Sequence, residues 1–108
     1  MSIQDKIREQ VTSNRVVLYM KGTPQMPQCG FSAQTVAVLK QVGADFHAVN
    51  IFEDLELRDE LKRFSNWPTY PQLYVKGELI GGCDIAMQML QSGELKQLIA
   101  EATSKTAA

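Results

Sequence analysis

Cys29 is followed by Gly30, Phe31 and Ser32 and preceded by a loop, 21–28, that contains Pro24 and Pro27. Ahead of the loop runs Val16-Val17-Leu18-Tyr19-Met20, five apolar residues of which two are β-branched, the composition of a buried strand. Behind the cysteine, Phe31, Val36, Leu39 and Val42 are apolar at spacings of three to five, a helical pattern. Strand, loop, cysteine and helix in that order put a thiol at a helix N-terminus. There, free backbone N–H groups and the positive end of the helix dipole favour thiolate over thiol. Lys21 adds a second positive charge if the loop folds back.

A Cys-x-x-Cys pair in this position would be a dithiol redox motif. Here Ser32 takes the second place, and a serine oxygen closes no disulfide. Cys29 is left with three uses: attacking a disulfide, holding glutathione as a mixed disulfide, or ligating a soft metal. The plain alternative is a small buried hydrophobe, the commoner fate of a cysteine.

The 108 residues are enough for one domain with a single core and no staples, and residues 103–108 read as a frayed tail. With a net charge of −1, no broad basic field points to nucleic acid or to an anionic membrane. Two cysteines, Cys29 and Cys83, are too few for a disulfide framework, and a reducing, cytoplasmic setting is expected. The first residues do not read as a signal or transit peptide, and no run is long enough to cross a bilayer.

Along the chain, Ser2 and Asp5 resemble a capping box ahead of Ile3, Ile7 and Val11, which share one helical face. Asn14 breaks that pattern. Gly43 closes the helix that Cys29 opens. Residues 46–51 read as a second strand, parallel to the first and joined to it by a right-handed crossover. His47, the only histidine, reads as an edge or surface residue. Residues 54–64 form a helix with Leu57, Leu61 and Phe64 on one face and charges around the rest. Pro68 and Pro71 keep Thr69-Tyr70 extended. Leu73-Tyr74-Val75, a turn at Lys76-Gly77-Glu78 and Leu79-Ile80 make a hairpin. Gly81-Gly82 ends it. Cys83-Asp84 opens a further helix, and Gly93 separates that from the last one. Two parallel strands followed by an antiparallel hairpin make an α/β fold: a four-stranded mixed sheet with helices on both faces.

Three motifs stand in order: Lys21-Gly22-x-Pro24-x-x-Pro27-x-Cys29-Gly30-Phe31-Ser32, then Trp67-Pro68-Thr69-Tyr70-Pro71-Gln72, then Gly81-Gly82-Cys83-Asp84. Together they make the chain resemble the monothiol, CGFS-type glutaredoxins of thioredoxin-like fold, from about Ile3 to Ala102. The chief departure is Tyr70, where that family often carries Ile or Phe.

The resemblance implies a cis-proline at Pro71 facing Cys29. It also implies a glutathione site built from Lys21, Arg58, Thr69, Tyr70, Cys83 and Asp84. The Tyr70 backbone would pair with the cysteinyl part of the tripeptide in the manner of an added strand. Lys21 and Arg58 would hold its glycine carboxylate. The Cys83 and Asp84 amides would meet the γ-glutamyl carboxylate, and the Asp84 side chain its ammonium. Taken alone, Gly81-Gly82 reads as a turn and Asp84 as a helix N-terminal residue.

As to function, the resemblance implies a carrier of a 2Fe–2S cluster in iron–sulfur cluster biogenesis. Cys29 would be both the reactive thiol and the metal ligand. The cluster would be shared between two chains and two glutathiones, giving a homodimer when loaded. BolA-like proteins and iron–sulfur apo-proteins are the implied partners. The alternative is a glutathione-dependent thiol–disulfide oxidoreductase that removes glutathione from protein thiols, an activity expected to be weak for this motif. A third reading is a thiol-bearing module that binds another protein.

Overall fold

A computed structural model describes residues 2–103. The elements run α1 (Ile3–Ser13), β1 (Val16–Met20), α2 (Gly30–Gln41), β2 (His47–Asn50), a 3-10 turn (Ile51–Glu53), α3 (Leu55–Ser65), β3 (Gln72–Val75), β4 (Glu78–Gly81), α4 (Cys83–Ser92) and α5 (Glu94–Thr103). Of the tail expected to fray, Thr103 closes α5 and 104–108 lie outside the described residues.

The four strands form one mixed sheet in the order β2-β1-β3-β4. β1 pairs parallel with β2, in register Val17 to His47, and antiparallel with β3, Val17 to Tyr74. β3 and β4 form the hairpin, whose two turn residues, Lys76 and Gly77, both have positive φ, 54° and 80°. That is the turn geometry whose twist matches two antiparallel strands. His47 is exposed on the edge strand β2.

Every residue of β1 is buried, because both faces of the sheet are covered. Val16, Leu18 and Met20 point to one side and pack with Val36, Val38 and Leu39 of α2, Ala86 of α4 and Leu95 and Ile99 of α5. Val17 and Tyr19 point to the other side, with Ile7 and Val11 of α1 and Leu57 and Leu61 of α3. Each fully buried Leu or Ile stabilises the fold by about 1.5–3 kcal/mol over an exposed one. These two layers fix the C-terminal end of β1, and with it the loop that leads to Cys29.

The helix ends follow local chemistry. Ser2 and Asp5 close the reciprocal capping box on α1, and Asn14 is its C-cap. Asp54 caps α3 by accepting the Leu57 N–H at 3.0 Å. Asn66 ends α3 in the left-handed conformation, φ 53°. Gly43, φ 73°, follows the Val42 C-cap of α2. Two expectations need correction. β2 stops at Asn50, because Ile51 already begins the 3-10 turn that the Asn50 side chain caps. Phe31 does not share the apolar face of α2: it is 60 % exposed, whereas Val36, Val38 and Leu39 of the same helix are buried.

Candidate functional site

Cys29 is the N-cap of α2, with extended backbone at φ −156°. It is partly exposed and is a free thiol. The sulfur closes no capping hydrogen bond. Its thiol pKa nevertheless lies below the ordinary value: the backbone N–H of Ser32 is the largest cause, burial opposes it, and the Phe31 N–H and then the Lys21 charge add to it. The helix start therefore outweighs the lysine as the source of thiolate character.

The loop before Cys29 is tied at several points. Ser32 is fully buried, and its hydroxyl accepts the Lys21 N–H at 3.1 Å. The Gln28 N–H donates to the Lys21 carbonyl at 2.8 Å, and Gly22 bridges to Pro27. The Asn50 Oδ1 accepts from the N–H of Gly22 at 3.1 Å and from that of Phe52 at 3.0 Å, which joins the loop to the turn before α3. Gly22 stands at φ 91°, and a Cβ there would sit 2.5 Å from the Met26 carbonyl oxygen, so only glycine fits.

Opposite Cys29 lies the segment between α3 and β3. The Tyr70–Pro71 peptide is cis. Gln72, fully buried, donates from Nε2 to the carbonyls of Trp67 at 3.1 Å and Thr69 at 3.2 Å, and its Oε1 accepts the Tyr74 hydroxyl at 3.2 Å. A buried amide with its hydrogen-bonding groups satisfied holds this extended segment against the sheet. The third wall is the start of α4. Gly82 is its N-cap, with Cys83 and Asp84 in the first turn. A Cβ on Gly82 would lie 3.3 Å from the Pro71 carbonyl and 3.6 Å from Trp67 Nε1, so the glycine lets α4 approach the proline segment.

These walls enclose a cleft of about 410 Å³. Lys21, Cys29, Arg58, Thr69, Tyr70, Cys83 and Asp84 all line it, so every site residue expected from the sequence is brought to one place. Among the described residues, none of the ion pairs engages Lys21, Arg58 or Asp84. The Arg58 Nε is buried and has no hydrogen-bond partner. The two cysteines differ in state. Cys83 is only 6 % exposed, and its thiol donates to Gln34 Oε1 at 3.3 Å, beside Met87 Sδ at 3.8 Å. Cys29 is the more accessible sulfur.

Residues 16–80 match the family profile described as glutaredoxin. The chain belongs to the glutaredoxin family. It is 54 % identical over 102 residues to "Glutaredoxin 4" of Buchnera aphidicola subsp. Schizaphis graminum, covering 94 % of this chain and 95 % of the relative. It is 52 % identical over 93 residues to "Probable monothiol glutaredoxin 2" of Rickettsia conorii, 86 % and 87 % of the two chains. The solution structure of reduced poplar apo GrxS14 superposes with a TM-score of 0.81 at 48 % identity, covering 94 % of this chain and 93 % of that one. The fold is thioredoxin-like, and the single cysteine of the Cys29 motif belongs with the monothiol branch.

In this glutaredoxin the cleft is also lined by residues that sequence reasoning did not single out for the site, chiefly Phe31, Lys62 and Trp67. Lys62 had a legible signal: it follows Arg58 by four residues, and i, i+4 positions share a helix face. Trp67 opens the second of the three motifs, but its place against the start of α4 depends on the missing side chain at Gly82, fifteen residues away in sequence. No helix of the described residues is long and apolar enough to cross a membrane.

Proposed function

We propose that this glutaredoxin binds glutathione in the Cys29 cleft and, as a dimer, assembles and carries a 2Fe–2S cluster destined for iron–sulfur apo-proteins. The observation that carries the reading is one accessible, thiolate-favouring cysteine in a cleft whose charged side chains, among the described residues, are left without ion pairs. Glutathione matches that set. It brings two carboxylates, an ammonium and a thiol. Lys21 and Arg58, both lining the cleft, take the glycine carboxylate. The first-turn amides of α4 take the γ-glutamyl carboxylate, and Asp84 takes the ammonium. The extended Thr69-Tyr70 backbone pairs with the cysteinyl residue.

The cluster is cargo, and its ligand demand sets the assembly. A 2Fe–2S cluster takes four thiolates. Among the described residues no three His, Cys, Asp or Glu side chains come together as a metal site, and Cys83 is buried beside Gln34 at the start of α4, where its amide serves the tripeptide. Each chain therefore offers Cys29 alone, and two chains with two glutathiones complete the set. Partners of this reading are a second copy, a BolA-like protein and recipient apo-proteins, in the cytoplasm. The lowered Cys29 pKa also favours the alternative chemistry, attack on glutathione mixed disulfides, as a secondary and weak activity.

Anaerobic reconstitution with iron, sulfide and glutathione tests the reading. Visible absorption of a 2Fe–2S cluster must appear, must need glutathione and must vanish in Cys29→Ser. A protein that never colours, or that colours equally without Cys29, is not this carrier.

A further inference from the structure

We propose that Tyr70 and Phe52 are positioning residues for Arg58, holding its guanidinium ready for a carboxylate and so setting the preference of the cleft for a ligand with a free carboxylate. The proposal rests on the reading of the cleft as a glutathione site.

Three observations meet at Arg58. The Tyr70 hydroxyl donates to the Arg58 backbone carbonyl, across twelve residues of chain. The Phe52 ring lies 5.8 Å from the guanidinium carbon, within the distance at which a cation is attracted to an aromatic face. The Arg58 Nε is buried without a partner, so the head group is neither spent on an internal ion pair nor fully in water.

Each contact has a mechanical sense. Tyr70 is buried and lines the cleft beside Pro71. Its hydroxyl, turned back to α3, fixes the distance between the extended segment and the helix turn that carries Arg58. Burial is the main cause that pushes the Tyr70 hydroxyl pKa up to about 12, so it remains a donor through the neutral range. Phe52 is 43 % exposed and does not belong to either buried core cluster. Its position is set by the Asn50 side chain, whose one oxygen accepts both the Phe52 and the Gly22 N–H groups. The aromatic face on Arg58 and the loop bearing Lys21 are thus held by the same oxygen, and the two cations form one prearranged clamp. An arginine already confined by an aromatic face and a tethered backbone loses less freedom when a carboxylate arrives.

The test is calorimetric titration of the full chain under reducing conditions with two ligands: glutathione, and its analogue with the glycine carboxylate converted to carboxamide. Wild type, Tyr70→Phe and Phe52→Leu are compared. Tyr70→Phe keeps the ring and Phe52→Leu an apolar side chain, so both variants retain the fold, which circular dichroism verifies. Wild type is expected to prefer glutathione. Each variant is expected to lose about three- to fivefold of that preference, the scale of one neutral hydrogen bond or one partly exposed cation–π contact. Equal weakening of both ligands, with the ratio intact, assigns the two residues a structural role only and overturns the proposal; so does no change at all. Wild type binding neither ligand is a different failure, that of the glutathione reading itself.

Discussion

The Ser32 hydroxyl accepts the Lys21 backbone N–H at 3.1 Å and is fully buried. The residue that stands where a dithiol motif has its second cysteine therefore fastens the Lys21 loop to the helix that Cys29 opens. Ser32→Ala leaves that N–H without a partner and should lower stability by about 1–2 kcal/mol. Urea unfolding followed by circular dichroism measures it. An unchanged midpoint would mean that solvent replaces the hydroxyl and that the loop does not depend on it.

The Cys29 thiol is expected to titrate below the ordinary cysteine value of about 8.5, with the Ser32 amide as the largest cause and Lys21 a smaller one. The alkylation rate as a function of pH, in Cys83→Ser, reports the midpoint. Lys21→Gln should move it upward only in part, because the helix amides remain. The sign for stability follows from thiolate being favoured in the folded state. The contribution is present above the unfolded pKa and is lost as pH falls through the lower, folded one.

Much of this architecture is legible locally. Ser2 with Asp5, Gly43 after α2 and Lys76-Gly77 between β3 and β4 are short-range signals, and each stands in the structure where the pattern puts it. The even burial of β1 hid which residues face which layer: Val16 and Val17 are chemically identical and pack on opposite sides. Phe31 fitted the helical period yet is exposed at the cleft, because periodicity does not tell which turns of a helix the rest of the fold covers. For the site, the motif residues could be gathered from sequence. The Gln72 amide that holds the Trp67 and Thr69 carbonyls, and the Tyr70 hydroxyl on Arg58, could not. Both are side chain to backbone contacts that depend on how a nonrepeating segment turns.

Asp54 starts the helix that carries Arg58. Its carboxylate accepts the Leu57 N–H and meets the Lys6 ammonium at 3.0 Å, and its pKa lies below the usual value for those reasons, the Leu57 bond first. Asp54→Ala should cost about 1 kcal/mol at neutral pH, the usual scale of a lost N-cap. A depressed carboxylate pKa contributes stability above the unfolded value of about 3.9 and loses it as pH falls through the folded value. The difference between wild type and variant should therefore shrink on acidification. Denaturant midpoints at neutral and acidic pH check both statements.

Gly22→Ala must collide with the Met26 carbonyl and adopt a positive φ. It should destabilise the protein by more than about 1 kcal/mol and disturb the Lys21 loop. Glutathione affinity should fall with it. A variant as stable as wild type would show that the loop can take another path.

The central claim is a ligand count, and native mass spectrometry of the anaerobically reconstituted protein reads it directly. The expected result is one species of two chains, two glutathiones and one 2Fe–2S cluster, falling to apo-monomer when glutathione is dialysed away, since a non-covalent ligand acts by mass action. A single chain that carries the cluster, or a dimer that keeps it with no glutathione bound, would contradict the account.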